Sequence, residues 1–104
     1  RMLDSRFPRI VGDIGNPASF DYPVAFRRME GITPADAVTA HPDRARVLAA
    51  LKANAEALVS EGVQLISTSC GFLALYQEEL AAASPVPILS SALLLIRQLV
   101  DAKV

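Results

Sequence analysis

The second half of the sequence alternates between helical and strand patterns with short connections, and this alternation constrains the fold more than any other feature. Apolar residues recur at helical spacing from 42 to 61. Two short runs rich in β-branched residues, 63–68 and 86–89, follow later in the chain. Each run is followed by another helical pattern, at 72–83 and 92–102. The sequence therefore predicts βαβ units and an α/β fold with an open parallel sheet and flanking helices.

Local signals place the ends of these elements. Pro42 and Asp43 suit the first turn of a helix, and Gly62 suits the left-handed position just past its end. The next helix should end before Pro85, because the residue that precedes a proline avoids the α region. A serine at 90 or 91 can cap the last helix.

The first third of the chain is dense in turn formers. Leu3 should end an opening strand, and Val24–Met29 has the pattern of a further strand. Residues 5–22 between them contain the run GDIGNP and predict a long loop. Loops of that length in a compact domain are usually functional or disordered.

Length and composition predict one domain over residues 1–104 and exclude several classes of function. The chain has 52 % hydrophobic residues and a net charge of -1 with no basic block, so we expect no nucleic-acid partner. We also expect no membrane partner, because no apolar run approaches ~20 residues. The first residues lack the apolar core and cleavage site of a secretion signal, which favours the cytoplasm. One cysteine and one histidine make neither a disulfide nor a metal site.

The candidate site lies where the predicted strands end, since ligands bind outside the carboxyl ends of the strands in an open parallel sheet. Three short segments follow predicted strands and should converge there: Asp4 with Ser5, then Thr68, Ser69, Cys70 and Gly71, then Ser90 with Ser91.

Cys70 has two possible interpretations. Free cysteines are commonly inert core residues. A cysteine between a strand and a helix, however, faces the positive end of the helix dipole, which favours the thiolate as a base and nucleophile. Gly71 allows a substrate to approach the backbone closely, and Thr68 and Ser69 can donate hydrogen bonds to a carboxylate or to the sulfur.

Four runs of the sequence resemble the aspartate/glutamate racemase superfamily: LDSRFPR, GDIGNP, TSCGFLALYQEEL and VPILSS. The resemblance implies the flavodoxin-like half of the racemase fold and catalysis without cofactor or metal, by two cysteines on opposite faces of the α-carbon. Cys70 matches the cysteine of the N-terminal half. Asp4 and Ser5 match a pair near the substrate, and Asn16 of GDIGNP is placed with the substrate-binding residues. Gly71 and Phe72 stand where glutamate racemases have Asn-Thr.

The resemblance implies a cofactor-independent racemase or epimerase that acts on a small carboxylate such as aspartate or glutamate. No second cysteine is present in the 104 residues. The chain is therefore expected to be the N-terminal half of a longer protein or part of a homo-oligomer, with its apolar last helix as an interface. The alternative is a non-catalytic carboxylate-binding or redox-sensing domain that retains the site without the second thiol.

Overall fold

The computed structural model of the protein describes residues 7–103. Helices surround a small parallel sheet in the order α1 (Pro34–Ala37), α2 (Arg44–Ser60), β1 (Ile66–Ser67), α3 (Gln77–Ala83), β2 (Ile88–Leu89) and α4 (Leu95–Asp101). Short 3-10 helices occupy Pro17–Ser19, Gly71–Tyr76 and Ala92–Leu94. The opening strand predicted to end at Leu3 lies outside the described residues.

Helix α2 forms where the helical spacing predicts it, because both of its ends are capped locally. At the start, the Asp43 carboxylate accepts a hydrogen bond of 3.1 Å from the Arg46 N–H. At the end, Gly62 adopts a φ of +86°. The N–H of Val63 turns back to the carbonyl of Leu58 at 3.4 Å, which completes a Schellman motif. The helix prediction is confirmed.

Strands β1 and β2 pair in parallel, with Ile66 opposite Ile88 and Ser67 opposite Leu89. Helices with a two-stranded parallel sheet are compatible with the predicted α/β class. The strands are shorter than the predicted 63–68 and 86–89, because Val63 is used in the cap of α2 and Pro87 has no N–H to add to the ladder. The Pro87 carbonyl still accepts the Ile66 N–H at 3.0 Å.

The helix predicted over 72–83 begins in a different form. Gly71–Tyr76 is a 3-10 helix, and only the following α3 is α-helical. Residues three apart lie on one face of a 3-10 helix. Leu73 and Tyr76 are both buried, so the 3-10 form turns both side chains into the core. The predicted end is confirmed, because α3 stops at Ala83 and the next residue is extended.

The strand predicted at Val24–Met29 is wrong. The chain from 24 to 28 has no strand assignment, and Met29 is a single bridge residue. The run contains apolar residues, but a strand also needs a continuous ladder of hydrogen bonds. Met29 itself is fully buried and belongs to the core.

One apolar cluster holds the elements together. Its buried members are Met29, Ile32, Val47, Leu51, Ile66, Leu73, Tyr76, Leu80 and Ile88. Arg44 adds a polar connection between α2 and α3, since its Nη2 lies 2.8 Å from Glu79 Oε1 and its guanidinium lies 4.9 Å from the centre of the Tyr76 ring. Among residues 7–103, no helix has both the length and the apolarity to cross a membrane.

Arg46 anchors α1 on α2 through Asp36. The Arg46 Nη1 lies 3.0 Å from Asp36 Oδ1, while Asp36 Oδ2 accepts hydrogen bonds of 2.7 Å from both the hydroxyl and the N–H of Thr33. These donors, led by the Thr33 hydroxyl, hold the pKa of Asp36 below its ordinary value. The carboxylate is therefore a charged cap for α1 at neutral pH.

Candidate functional site

The carboxyl ends of β1 and β2 bring two predicted site segments together. Thr68–Gly71 follows β1 and Ser90–Ser91 follows β2, and the parallel pairing places both segments at the same edge of the sheet. The predicted contributors Asp4 and Ser5 lie outside the described residues. Two of the three predicted segments thus form the site that the structure describes.

Thr68 connects the two segments directly. Its hydroxyl donates a hydrogen bond of 2.5 Å to the carbonyl of Ser90, 22 residues away in sequence, in a buried environment. The same oxygen accepts from the Cys70 N–H at 3.4 Å, which closes a turn around the cysteine. Thr68 therefore holds the backbone of the site by both its donor and its acceptor.

Gln77, on the first turn of α3, clamps the end of β2. Its Nε2 donates to the Ile88 carbonyl at 2.8 Å, and its Oε1 accepts from the Ser90 N–H at 2.9 Å. Sequence reasoning missed Gln77, because a glutamine beside two glutamates on a helix carries no local signal of a long-range contact.

Ser90 and Ser91 are both fully buried but are used differently. The Ser91 hydroxyl accepts the Leu93 N–H at 3.1 Å and caps the 3-10 helix Ala92–Leu94, as the sequence predicts. The Ser90 hydroxyl has no hydrogen-bond partner among the described residues. Buried polar groups are usually paired, so the Ser90 hydroxyl is an unmet hydrogen-bonding group at a strand end.

Cys70 is a free, partly buried thiol at the N-cap position of the 3-10 helix Gly71–Tyr76. It contacts the core, as the inert interpretation expects, but it also stands at the strand end that the functional interpretation requires. The N–H groups of Gly71 and Phe72 begin the helix and have no intrahelical partner, as at any helix start.

Gly71 keeps the site narrow. A Cβ at this position would lie 3.3 Å from Leu93 Cδ1 and 4.0 Å from the Ser91 hydroxyl. The first distance is tighter than ordinary side-chain contacts, so a larger residue here would require the Leu93 side chain to shift by a few tenths of an ångström.

Asn16 is used within its own loop. Its Oδ1 accepts the Ala18 N–H at 2.8 Å, and its Nδ2 donates to the Arg9 carbonyl at 2.7 Å. Asp13, which sequence reasoning did not single out, organises the same loop by accepting the Gly15 N–H at 2.6 Å and pairing with Arg9 at 3.1 Å. The signal for Asp13 is its place two residues before a glycine in GDIG, as in an Asx turn.

A cavity of about 820 Å³ lies between the extended segment 22–27, the inner face of α2 and β1. Ser67, Thr68 and Ser69 form one part of its wall, and Phe20 and Tyr22 form another. Cys70 follows Ser69 directly but is not part of the wall. Among residues 7–103, no group of three or more His, Cys, Asp or Glu side chains is arranged to hold a metal ion.

The chain is similar to proteins named as dimethylsulfoniopropionate lyases. A dimethylsulfoniopropionate lyase of Durusdinium sp. clade D is 32 % identical over 98 residues, which make up 93 % of this chain and 32 % of that protein. The dimethylsulfoniopropionate lyase 2 of Emiliania huxleyi is 28 % identical over 100 residues, covering 89 % of this chain and 28 % of that protein. The chain thus spans about a third of the length of the curated relatives it matches. No protein-family model matches the chain, and neither does any solved structure.

These relatives correct the function expected from the sequence. The resemblance to the aspartate/glutamate racemase superfamily predicted an isomerase, a racemase or epimerase, and that prediction is wrong, because the relatives are named as lyases. A cysteine at a strand end suits general acid/base chemistry in both classes of enzyme. The residue types at the site therefore could not distinguish isomerisation from elimination.

Proposed function

We propose that this chain is part of a lyase that eliminates dimethyl sulfide from dimethylsulfoniopropionate or a close analogue, with Cys70 as the general base. The observation that carries the proposal is the similarity to a dimethylsulfoniopropionate lyase over 93 % of the chain, including the Cys70 segment. We also propose that β1 and β2 belong to a larger, flavodoxin-like parallel sheet, which the remainder of a longer protein or a second copy completes.

The chemistry needs one well-placed base. The Cys70 thiolate takes a proton from C2 of the substrate, and the electron pair of that C–H bond forms the C2=C3 double bond. The C3–S bond breaks with its electrons moving to sulfur, so the cationic sulfonium leaves as neutral dimethyl sulfide and acrylate remains. The thiol then returns its proton to water. The net products from one substrate molecule are one proton, one acrylate and one dimethyl sulfide.

The neighbours of Cys70 supply the groups that this reaction uses. Negative charge develops at C2 and spreads into the carboxylate as the proton leaves, and hydrogen-bond donors at that carboxylate stabilise it. The unpaired Ser90 hydroxyl and the N–H groups that begin the 3-10 helix are such donors. Thr68 and Gln77 act indirectly, by fixing the backbone at both strand ends.

The test measures dimethyl sulfide released from dimethylsulfoniopropionate by the full-length protein. Cys70→Ala and Cys70→Ser should lower kcat by at least ~100-fold, because loss of a general base costs about 100- to 10,000-fold. Ser60→Ala, which removes an exposed hydroxyl from the end of α2, is the matched control and should retain wild-type activity. Substrate deuterated at C2 should be cleaved more slowly if proton removal limits the rate.

Two results would refute the proposal. A folded full-length protein that releases no dimethyl sulfide would exclude this substrate. Cleavage that survives Cys70→Ala at the wild-type rate would exclude Cys70 as the base.

A further inference from the structure

We infer that Phe20, Tyr22 and Phe26 form the part of the site that binds the methylated sulfonium group of the substrate. The inference rests on the proposed function and deepens it, because it assigns recognition of the positive charge to aromatic faces. All three rings line the cavity that also contains Ser67, Thr68 and Ser69.

The geometry of the rings suits a methylated cation. The centres of the Phe20 and Tyr22 rings are 5.5 Å apart, and their planes are tilted by 51°. A cation within ~6 Å of a ring centre is attracted by the ring quadrupole. Sites that bind methylated ammonium groups are likewise lined by several aromatic rings.

The charges around the cavity favour aromatic recognition over ion pairing. Among its described lining residues, the charged side chains are Arg27 and Glu61, and these two form an ion pair with each other. Neither therefore offers an uncompensated charge to a ligand. A sulfonium group has no N–H or O–H to donate to the hydroxyl groups of the wall, which favours the ring faces as its binding surface.

The opposite end of the substrate then has a defined place. Ser67 and Ser69 bring hydroxyl groups to the cavity wall, whereas the Thr68 hydroxyl proton is already given to Ser90. Ser69 immediately precedes Cys70. A substrate with its sulfonium at the aromatic rings extends along the wall past Ser69 toward Cys70 and the donors proposed above for the carboxylate.

The experiment compares two carboxylates of the same shape, one with a cationic head group and one with a neutral head group. Isothermal titration calorimetry on the full-length protein measures the binding of 3-(trimethylammonio)propionate and of 4,4-dimethylpentanoate, in which carbon replaces the cationic nitrogen. We expect the compound with the cationic head group to bind about 10-fold more tightly. Tyr22→Leu and Phe20→Leu should lower this ratio toward one, while Tyr22→Phe keeps the ring face and should preserve it.

Phe72→Leu is the matched control, since Phe72 is an exposed aromatic residue that does not line the cavity. Tyr22 is 66 % exposed, so its replacement should leave the fold intact, which circular dichroism checks. Equal binding of the two compounds by the wild type, or a ratio unchanged in the Phe20→Leu/Tyr22→Leu double variant, would overturn the inference. Release of dimethyl sulfide in the same samples would then leave the proposed function standing. A charge preference without any cleavage would instead support the inference and count against the proposed reaction.

Discussion

The hydroxyl of Thr68 donates a 2.5 Å hydrogen bond to the carbonyl of Ser90, and this buried contact joins the ends of β1 and β2 next to Cys70. The structure of the site depends on it, because the carbonyl has been withdrawn from water. A buried acceptor that loses its donor costs roughly 1–3 kcal/mol.

Thr68→Val should therefore lower the free energy of unfolding by about 1–3 kcal/mol. It should also lower the lyase activity of the full-length protein, because the backbone around Cys70 loses its link to Ser90. Thr68→Ser keeps the hydroxyl and should retain most of the stability, as urea unfolding would measure. Equal stability of the valine variant and the wild type would mean that water replaces the bond.

Gln77→Ala removes two hydrogen bonds to the end of β2 at once. We expect a loss of about 1–3 kcal/mol in the free energy of unfolding, since the Ile88 carbonyl and the Ser90 N–H both lose their partner. Glu78→Ala is the control, because Glu78 is the exposed neighbour and surface changes are usually within about 0.5 kcal/mol. Equal losses in the free energy of unfolding for Gln77→Ala and Glu78→Ala would contradict a stabilising role of the two Gln77 hydrogen bonds.

Ser90→Ala tests whether the Ser90 hydroxyl contributes to protein stability or to substrate binding. The Ser90 hydroxyl is buried and unpaired, so its removal should leave the melting temperature unchanged or raise it. If the hydroxyl holds the substrate carboxylate, the same change should raise KM for dimethylsulfoniopropionate. A large loss of stability would instead show that the hydroxyl has a structural partner.

Asp36 should make stability fall in acid. Its pKa is lowered in the folded protein, chiefly by the Thr33 hydroxyl and N–H, so the unfolded chain binds this proton more readily. The stabilisation is complete above the unfolded pKa of ~3.9 and is lost as the pH falls through the lower folded value. Urea unfolding at pH 7 and pH 3 should show a gap between wild type and Asp36→Asn that narrows at pH 3. In a Thr33→Val background, Asp36→Asn should change the free energy of unfolding less than it does in the wild type, already at pH 7.

The apolar surface of α4 should associate with another chain or with the rest of a longer protein. Ile96, Leu99 and Val100 are each more than half exposed, beside Leu93 of the preceding 3-10 helix. Ile96→Lys combined with Val100→Lys should reduce concentration-dependent light scattering of the 104-residue chain. Val38→Lys, at an exposed apolar residue outside α4, is the control. A wild-type chain that stays monomeric at micromolar concentration would contradict the prediction.

The sequence by itself determined what depends on neighbours along the chain. Helix α2 with its cap at Asp43, the left-handed Gly62 and the end of α3 before Pro85 all follow from contacts within a few residues. The parallel pairing of β1 with β2 was also predictable, because two strands joined by a short helical crossover usually lie side by side and parallel in one sheet.

Only the tertiary structure decided what depends on distant residues. The strand predicted at Val24–Met29 is absent, and the predicted helix over 72–83 begins with the 3-10 helix Gly71–Tyr76, whose Leu73 and Tyr76 are buried in the core. The reach of Gln77 to β2 and the contact of Thr68 with Ser90 cross 11 to 22 residues of chain. Local propensity carries no information about such distances, since these hydrogen bonds exist only once packing has excluded water from the strand ends.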